Sequence, residues 1–218
     1  FPKASNEQWR DDLLGTHLNR RRADYVTVMS EAISGQNWMT IPARRYMDFE
    51  RTGDREAYQA IYSERRSRLS YLVLAECFEN KGRFLDDIVD GLWAICEETS
   101  WCLPAHANPP GTPLPESGEP DPLPRQDRHV VDLFAAQTGM ILAEAIHLLK
   151  DGLESVSANL VERVRRQCIE RVVDPVIDYE DIHWKRYTFN WNPWCSSNAL
   201  GTGLLMLDDG DRVKALLE

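Results

Sequence analysis

Arg83-Phe84-Leu85-Asp86-Asp87-Ile88-Val89-Asp90-Gly91-Leu92-Trp93-Ala94-Ile95-Cys96-Glu97-Glu98 is the stretch on which the fold turns. Leu85, Ile88, Val89, Leu92, Trp93, Ile95 and Cys96 recur at the spacing of one helix face, in a stripe too wide for a single neighbour to cover. A helix packed on two sides needs other helices beside it, and the flanking sequence supplies them. Asn6 to about Ser34 carries periodic apolar residues from Trp9 to Ile33, and Asp54 to Glu79 carries them from Tyr58 to Phe78. Asp127 to Lys150 repeats the pattern, as does Ser155 to Val173, where Ser155 and Ser157 are cap candidates. No stretch alternates with period two over more than a few residues, so strands are not expected. The reading is an all-α domain over 1–218, built of antiparallel helix pairs joined by loops.

Two segments interrupt this pattern. Residues 104–124 hold eight of the twelve prolines, which no helix or central strand tolerates, so they are read as a Pro-rich loop. The second break runs from Asp174-Pro175 to Trp194. After it, Ser196 to Leu207 reads as an apolar helix, Asp208 to Asp211 as a turn, and Arg212 to Glu218 as the start of a helix too short to stand alone. A missing C-terminal part of the same protein is therefore expected. The natural N-terminus is also expected to be missing, because the chain begins at Phe1.

Composition excludes several classes. Hydrophobic residues make up 43% of the 218, enough for a core. The net charge of −10 argues against nucleic acid as a partner. No apolar run is long enough to span a membrane. Arg20-Arg21-Arg22, Arg44-Arg45, and Arg65-Arg66 with Arg68 are read as solvated helix faces. Cys77, Cys96, Cys102, Cys168 and Cys195 show neither zinc spacing nor a C-x-x-C pair. They are read as buried free thiols, which leans toward a reducing, cytoplasmic compartment, although a removed export signal would allow a periplasmic or secreted one. No phosphate-binding loop, dinucleotide fingerprint or zinc-protease motif is present, so neither a cofactor nor a metal is expected.

Two constellations could carry chemistry. Glu97-Glu98-Thr99-Ser100-Trp101-Cys102-Leu103-Pro104-Ala105-His106 takes a carboxylate, an indole and an imidazole from a helix end into a loop. The competing reading is solvated glutamates, a core tryptophan and an ordinary loop histidine. His183-Trp184-Lys185-Arg186-Tyr187-Thr188-Phe189-Asn190-Trp191-Asn192-Pro193-Trp194-Cys195-Ser196-Ser197-Asn198 sets aromatic rings beside uncharged amides. Rings stack on the C–H faces of sugars, and amides read hydroxyls and carboxylates. Its competing reading is a packed aromatic corner with capping amides. His183 opens this run and is a binding candidate; His17, His129 and His147 are read as structural.

In this order, Glu97–His106, Asp132-Leu133-Phe134-Ala135-Ala136-Gln137-Thr138-Gly139 and Asn190-Trp191-Asn192-Pro193-Trp194-Cys195-Ser196-Ser197-Asn198 resemble heparinase II/III-type proteins, polysaccharide lyases and their relatives. The resemblance covers most of the chain. It implies an (α/α) toroid, here incomplete, and an acidic polysaccharide or oligosaccharide as partner. It also implies β-elimination: a base removes the C5 proton of a uronate whose carboxylate has been neutralised, and the 4-linked sugar leaves. Asn192 then matches the carboxylate-facing amide, with Asn198 as second choice. His106 becomes a sugar- or carboxylate-contacting imidazole, and Trp101, Trp191 and Trp194 the stacking walls.

The sequence departs from the family at the catalytic tyrosine, which belongs to a Glu-Gly motif absent here. Tyr187 lies near the aromatic run but does not match that motif, so the chain alone is expected to be inactive. Two other readings stand beside the lyase. One is a glycoside hydrolase pairing Glu98 with Asp178 or Asp181. The other is a non-catalytic sugar-binding helical module. The distinguishing feature is whether His106 and Asn192 share a cleft with Trp101 and Trp191.

Overall fold

The computed structural model describes residues 2–109, 118, 121–125 and 127–217, so much of the Pro-rich loop lies outside the described residues. These are helical, with no strand among them. The order is α1 (Glu7–Leu13), α2 (His17–Ile33), α3 (Ala43–Thr52), α4 (Glu56–Glu79), α5 (Leu85–Cys96), α6 (Leu133–Cys168), α7 (Asp174–Asp178), α8 (Trp191–Met206) and α9 (Gly210–Ala215). Single 3-10 turns lie at Pro104–His106 and His183–Arg186, and a π-helical segment, Ile169–Val173, joins α6 to α7. No described helix is long and apolar enough to cross a membrane.

The broad stripe of α5 does face two neighbours. Ile88, Leu92 and Ile95 are fully buried in one core with Leu69 and Leu72 of α4 and Leu142 and Ile146 of α6. α6 packs in turn on α8, and α4 on α2. Gly91 is required where α5 meets the Trp38 ring, because a Cβ there would stand 2.5 Å from Cζ2. Trp93 is the exception in the stripe: its ring is half exposed, and the Arg163 guanidinium lies 4.3 Å above it.

Helix boundaries depart from the periodicity at several points. The stretch from Asn6 to Ser34 is two helices: Asn6 caps α1 by accepting from the Trp9 amide, and Thr16 caps α2 by accepting from the Asn19 amide. Each cap satisfies an amide that the helix itself cannot. α3 was not expected, because Tyr46 is its one buried residue. Asp127–Lys150 and Ser155–Val173 merge into the long α6, with non-helical backbone at Leu149 and Ser157. Ser157 acts as the expected cap there, accepting from the Leu160 amide at 3.2 Å, whereas Ser155 bonds the Gly152 carbonyl. α8 begins at Trp191, so much of the aromatic run is helix rather than loop. Pro193 fits that first turn, where its missing N–H would have had no partner.

Burial corrects the reading of the third arginine cluster. Arg65, Arg66 and Arg68 are buried, not solvated, whereas Arg20, Arg21 and Arg22 are exposed. Arg65 and Arg66 converge on Glu98 at 2.8 Å and 2.6 Å. Arg68 donates to the Asn37 and Gln36 carbonyls and lies 4.3 Å from the Trp38 ring. All five cysteines are buried free thiols.

Candidate functional site: a histidine–aspartate pair in an aromatic cluster

The site begins at the N-terminus of α6. Asp132 is fully buried and caps that helix, its Oδ1 accepting from the Phe134 and Ala135 amides at 3.1 Å and 2.7 Å. Its Oδ2 accepts from the Leu103 amide at 3.2 Å and from Nδ1 of His106 at 2.7 Å. Every partner of this carboxylate is therefore a donor, which puts the imidazole hydrogen on Nδ1. The 3-10 turn Pro104–His106 brings His106 to this position.

Nε2 of His106 faces outward. A guanidinium nitrogen of Arg55, at the start of α4, lies 3.4 Å from it and donates toward its lone pair. Arg55 is exposed, and no carboxylate among the described residues lies within ion-pair distance of it. The Phe134 ring stacks on one side of the imidazole, with centroids 5.9 Å apart. The Trp191 ring meets it edge-on at 4.7 Å. His183 contacts the same indole at 5.1 Å. Burial pulls the His183 pKa below its ordinary value, and the neighbouring His106 adds to the effect. Phe189 extends the cluster to the exposed ring of Tyr187.

His106, His183, Trp191 and Tyr187 thus belong to one contiguous set of rings. The other sequence candidates have different surroundings. Trp101 is a core residue, 2% exposed, whose indole donates to the Ile95 carbonyl, so it is not available as a stacking wall. Trp194 exposes its ring while its Nε1 donates to the Leu133 carbonyl. Asn192 spends one amide hydrogen on the Trp184 carbonyl at 3.2 Å, leaving one N–H and its oxygen. Asn198 folds back onto the Trp194 carbonyl of its own helix. Glu98 is buried, with both oxygens held by guanidiniums. Of its proposed hydrolase partners, Asp178 is exposed and Asp181 is ion-paired with Arg128, which lowers its pKa.

The two basic residues of the aromatic run, and Arg45, are engaged elsewhere. Lys185 donates to the Val176 carbonyl, Arg186 to the Glu180 carbonyl, and Arg45 pairs with Asp48. Arg55 is the basic residue beside His106, and nothing in its local sequence marks it. Asp132 had a signal: an aspartate directly before an apolar helical run is a capping position.

A cavity of about 870 Å³ lies between α3, α4 and the end of α5. Tyr46, Tyr58, Arg65, Glu98, Ser100 and Leu123 line it. Burial pushes the Tyr46 phenol well above its ordinary range; Cys102 adds to this, and the nearby Ser100 hydroxyl opposes it without making a hydrogen bond of good geometry. Tyr58 is raised in the same way by burial. A chain of ring contacts, Tyr46–Tyr58–Tyr62–Phe134–His106, connects this cavity to the histidine cluster. Among the described residues, no group of three His, Cys, Asp or Glu is placed to hold a metal ion.

No family model matches the chain, and no curated protein matches it.

Proposed function

We propose that the chain is the sugar-recognising helical part of a polysaccharide lyase-like protein of the heparinase II/III type, with its helices forming part of an incomplete (α/α) toroid. Its ligand is an acidic, uronate-containing polysaccharide, bound at the edge formed by His106, Arg55 and Trp191. The observation that carries this reading is the His106–Asp132 hydrogen bond. It fixes the imidazole with Nε2 outward, beside an exposed guanidinium that has no carboxylate partner among the described residues.

Arg55 supplies the positive charge that a uronate carboxylate needs, and a planar guanidinium matches that group in two hydrogen bonds. Trp191, with Phe189 and Tyr187 beyond it, offers apolar faces for pyranose C–H groups. Neutralising the carboxylate is the part of β-elimination that this chain supports: it stabilises the negative charge that develops as the C5 proton leaves. The C4–O bond then breaks, a C4–C5 double bond forms, and the leaving sugar takes up a proton. Tyr46, Tyr58 and Tyr62 are buried phenols whose pKa values burial pushes well up.

Calorimetric titration tests the reading with a heparan-type hexasaccharide and the same oligosaccharide after reduction of its carboxyl groups. The acidic sugar is expected to bind, and Arg55→Gln to weaken it about tenfold, as loss of one charged hydrogen-bond partner does. Equal binding of the reduced and acidic sugars, or binding of neither, would overturn the proposal.

A further inference from the structure

A second cleft, of about 490 Å³, lies on the other side of the Glu97–Thr99 turn, where the π-helical segment meets the end of α5. Its walls are strongly basic for a chain of net charge −10: Arg163, Arg166 and Arg171 line it with His129 and Gln167, against the one outward carboxylate of Glu97. The carboxylate of Glu98, whose backbone also borders the cleft, is turned to Arg65 and Arg66. None of these cationic residues belongs to the histidine–aspartate site.

We propose that this cleft binds a tetrahedral oxyanion, the phosphate or sulfate group of a small ligand or sugar. Arg171 is the central argument. It is largely buried, donates to the Glu98 and Cys96 carbonyls at 2.6 Å and 3.5 Å, and has no carboxylate within ion-pair distance among the described residues. Its Nε is buried without a hydrogen-bond partner. That Nε is closed to any ligand in the cleft, and the Trp101 ring lies 5.0 Å from the guanidinium, but no carboxylate among the described residues neutralises the charge; a largely buried cation left so is costly unless an anion in the cleft compensates it. Arg171 also stands in the middle of the π segment Ile169–Val173, and such segments in otherwise α-helical runs concentrate at functional sites.

The other two arginines are only partly neutralised. Arg163 pairs with Glu97, and Arg166 stands 3.7 Å from Glu170 while most of its side chain is exposed. Three guanidiniums against these two glutamates leave an excess of one positive charge, with Gln167 and His129 as further polar groups. Guanidinium forks set at successive turns along one helical run, Arg163 and Arg166 on α6 and Arg171 in the π segment that continues it, can meet a tetrahedral group along several of its oxygens, which suits phosphate or sulfate better than a planar carboxylate.

The test uses the chain with sodium phosphate, sodium sulfate and sodium glucuronate as separate probes, followed by calorimetry and by amide chemical shifts of His129 and of residues 163–171. Phosphate or sulfate is expected to bind with millimolar or better affinity and to move the Arg171 and His129 resonances. Arg166→Gln, whose exposed side chain the fold does not need, is expected to weaken binding about tenfold. Arg171→Gln is expected to abolish binding where it folds. Arg165→Gln, outside the cleft, is expected to leave binding unchanged. Absence of phosphate and sulfate binding overturns the proposal, as does a response to glucuronate alone. Equal affinity in the Arg166→Gln and Arg165→Gln variants also overturns it. Loss of oligosaccharide binding at Arg55 does not bear on this outcome, because the two sites share no cationic residue.

Discussion

His106 donates from Nδ1 to Asp132 at 2.7 Å, and the same Asp132 carboxylate caps α6. One buried acid therefore sets both where the longest helix starts and how the imidazole is oriented. Replacing it with alanine removes a cap and strands the Leu103, Phe134 and Ala135 amides. Asp132→Ala is expected to cost about 2–4 kcal/mol, adding a cap loss to at least one buried amide left unpaired. Urea denaturation measures it; a change under about 0.5 kcal/mol would contradict the geometry.

Glu98 discriminates between a structural carboxylate and a catalytic one. Its two oxygens hold Arg65 and Arg66 in the interior. Removing one partner of a buried ion pair costs about 3–5 kcal/mol, because it leaves the other charge uncompensated. Glu98→Ala is therefore expected to unfold at markedly lower denaturant than the wild-type chain. A fully stable variant would mean that the carboxylate is free for chemistry, as the hydrolase reading requires.

Two histidines give stability a pH dependence. Burial pulls His183 and His129 below their ordinary value, helped by His106 in one case and Arg171 in the other. With folded pKa values below the unfolded value of about 6.5, the unfolded chain binds more protons than the folded one. Stability is therefore complete above that unfolded value and falls as pH drops through the window between the unfolded and folded values. Histidine proton NMR titration should place both below the free value, and a His129→Gln, His183→Gln double variant should flatten the decline. A stability curve that rises on acidification through this window would show the shifts to have the opposite sign.

Gly91 tests the packing of α5. A methyl group there meets the Trp38 ring at 2.5 Å. Gly91→Ala would otherwise gain helix propensity, but overpacking of this kind costs about 1–3 kcal/mol. Thermal unfolding should show a net loss; a gain in Tm would mean that the ring moves aside freely.

The all-helical class was legible because Leu85, Ile88, Leu92 and Ile95 repeat at helical spacing, and burial follows that spacing. The burial of the arginines at 65, 66 and 68 was not, because Glu98, the partner of Arg65 and Arg66, and the Gln36 and Asn37 carbonyls that Arg68 meets all lie some thirty residues away, and only packing brings them close. The split between α1 and α2 was missed because the apolar period carries across Gly15, while the break is made by the Thr16 cap. The two quoted motifs did locate His106 and Trp191, which meet in space. They said nothing of Arg55, whose role comes entirely from position, and they gave Trp101 a surface role that its burial denies.

Incubated with uronate polysaccharide, the chain is expected to bind without generating the ultraviolet absorbance of an unsaturated uronate. Sustained growth of that absorbance would show that a proton-removing group is present and unrecognised.

The most direct measurement of the central claim follows the imidazole itself. With ¹⁵N-labelled histidine, the chain without sugar should show His106 protonated at Nδ1, with the lone pair on Nε2 facing Arg55. Titration with a uronate hexasaccharide should then move the His106 Nε2 signal in step with the Trp191 indole, and the response should weaken in Arg55→Gln. An unmoved His106 signal in a chain that binds the sugar elsewhere would contradict the account.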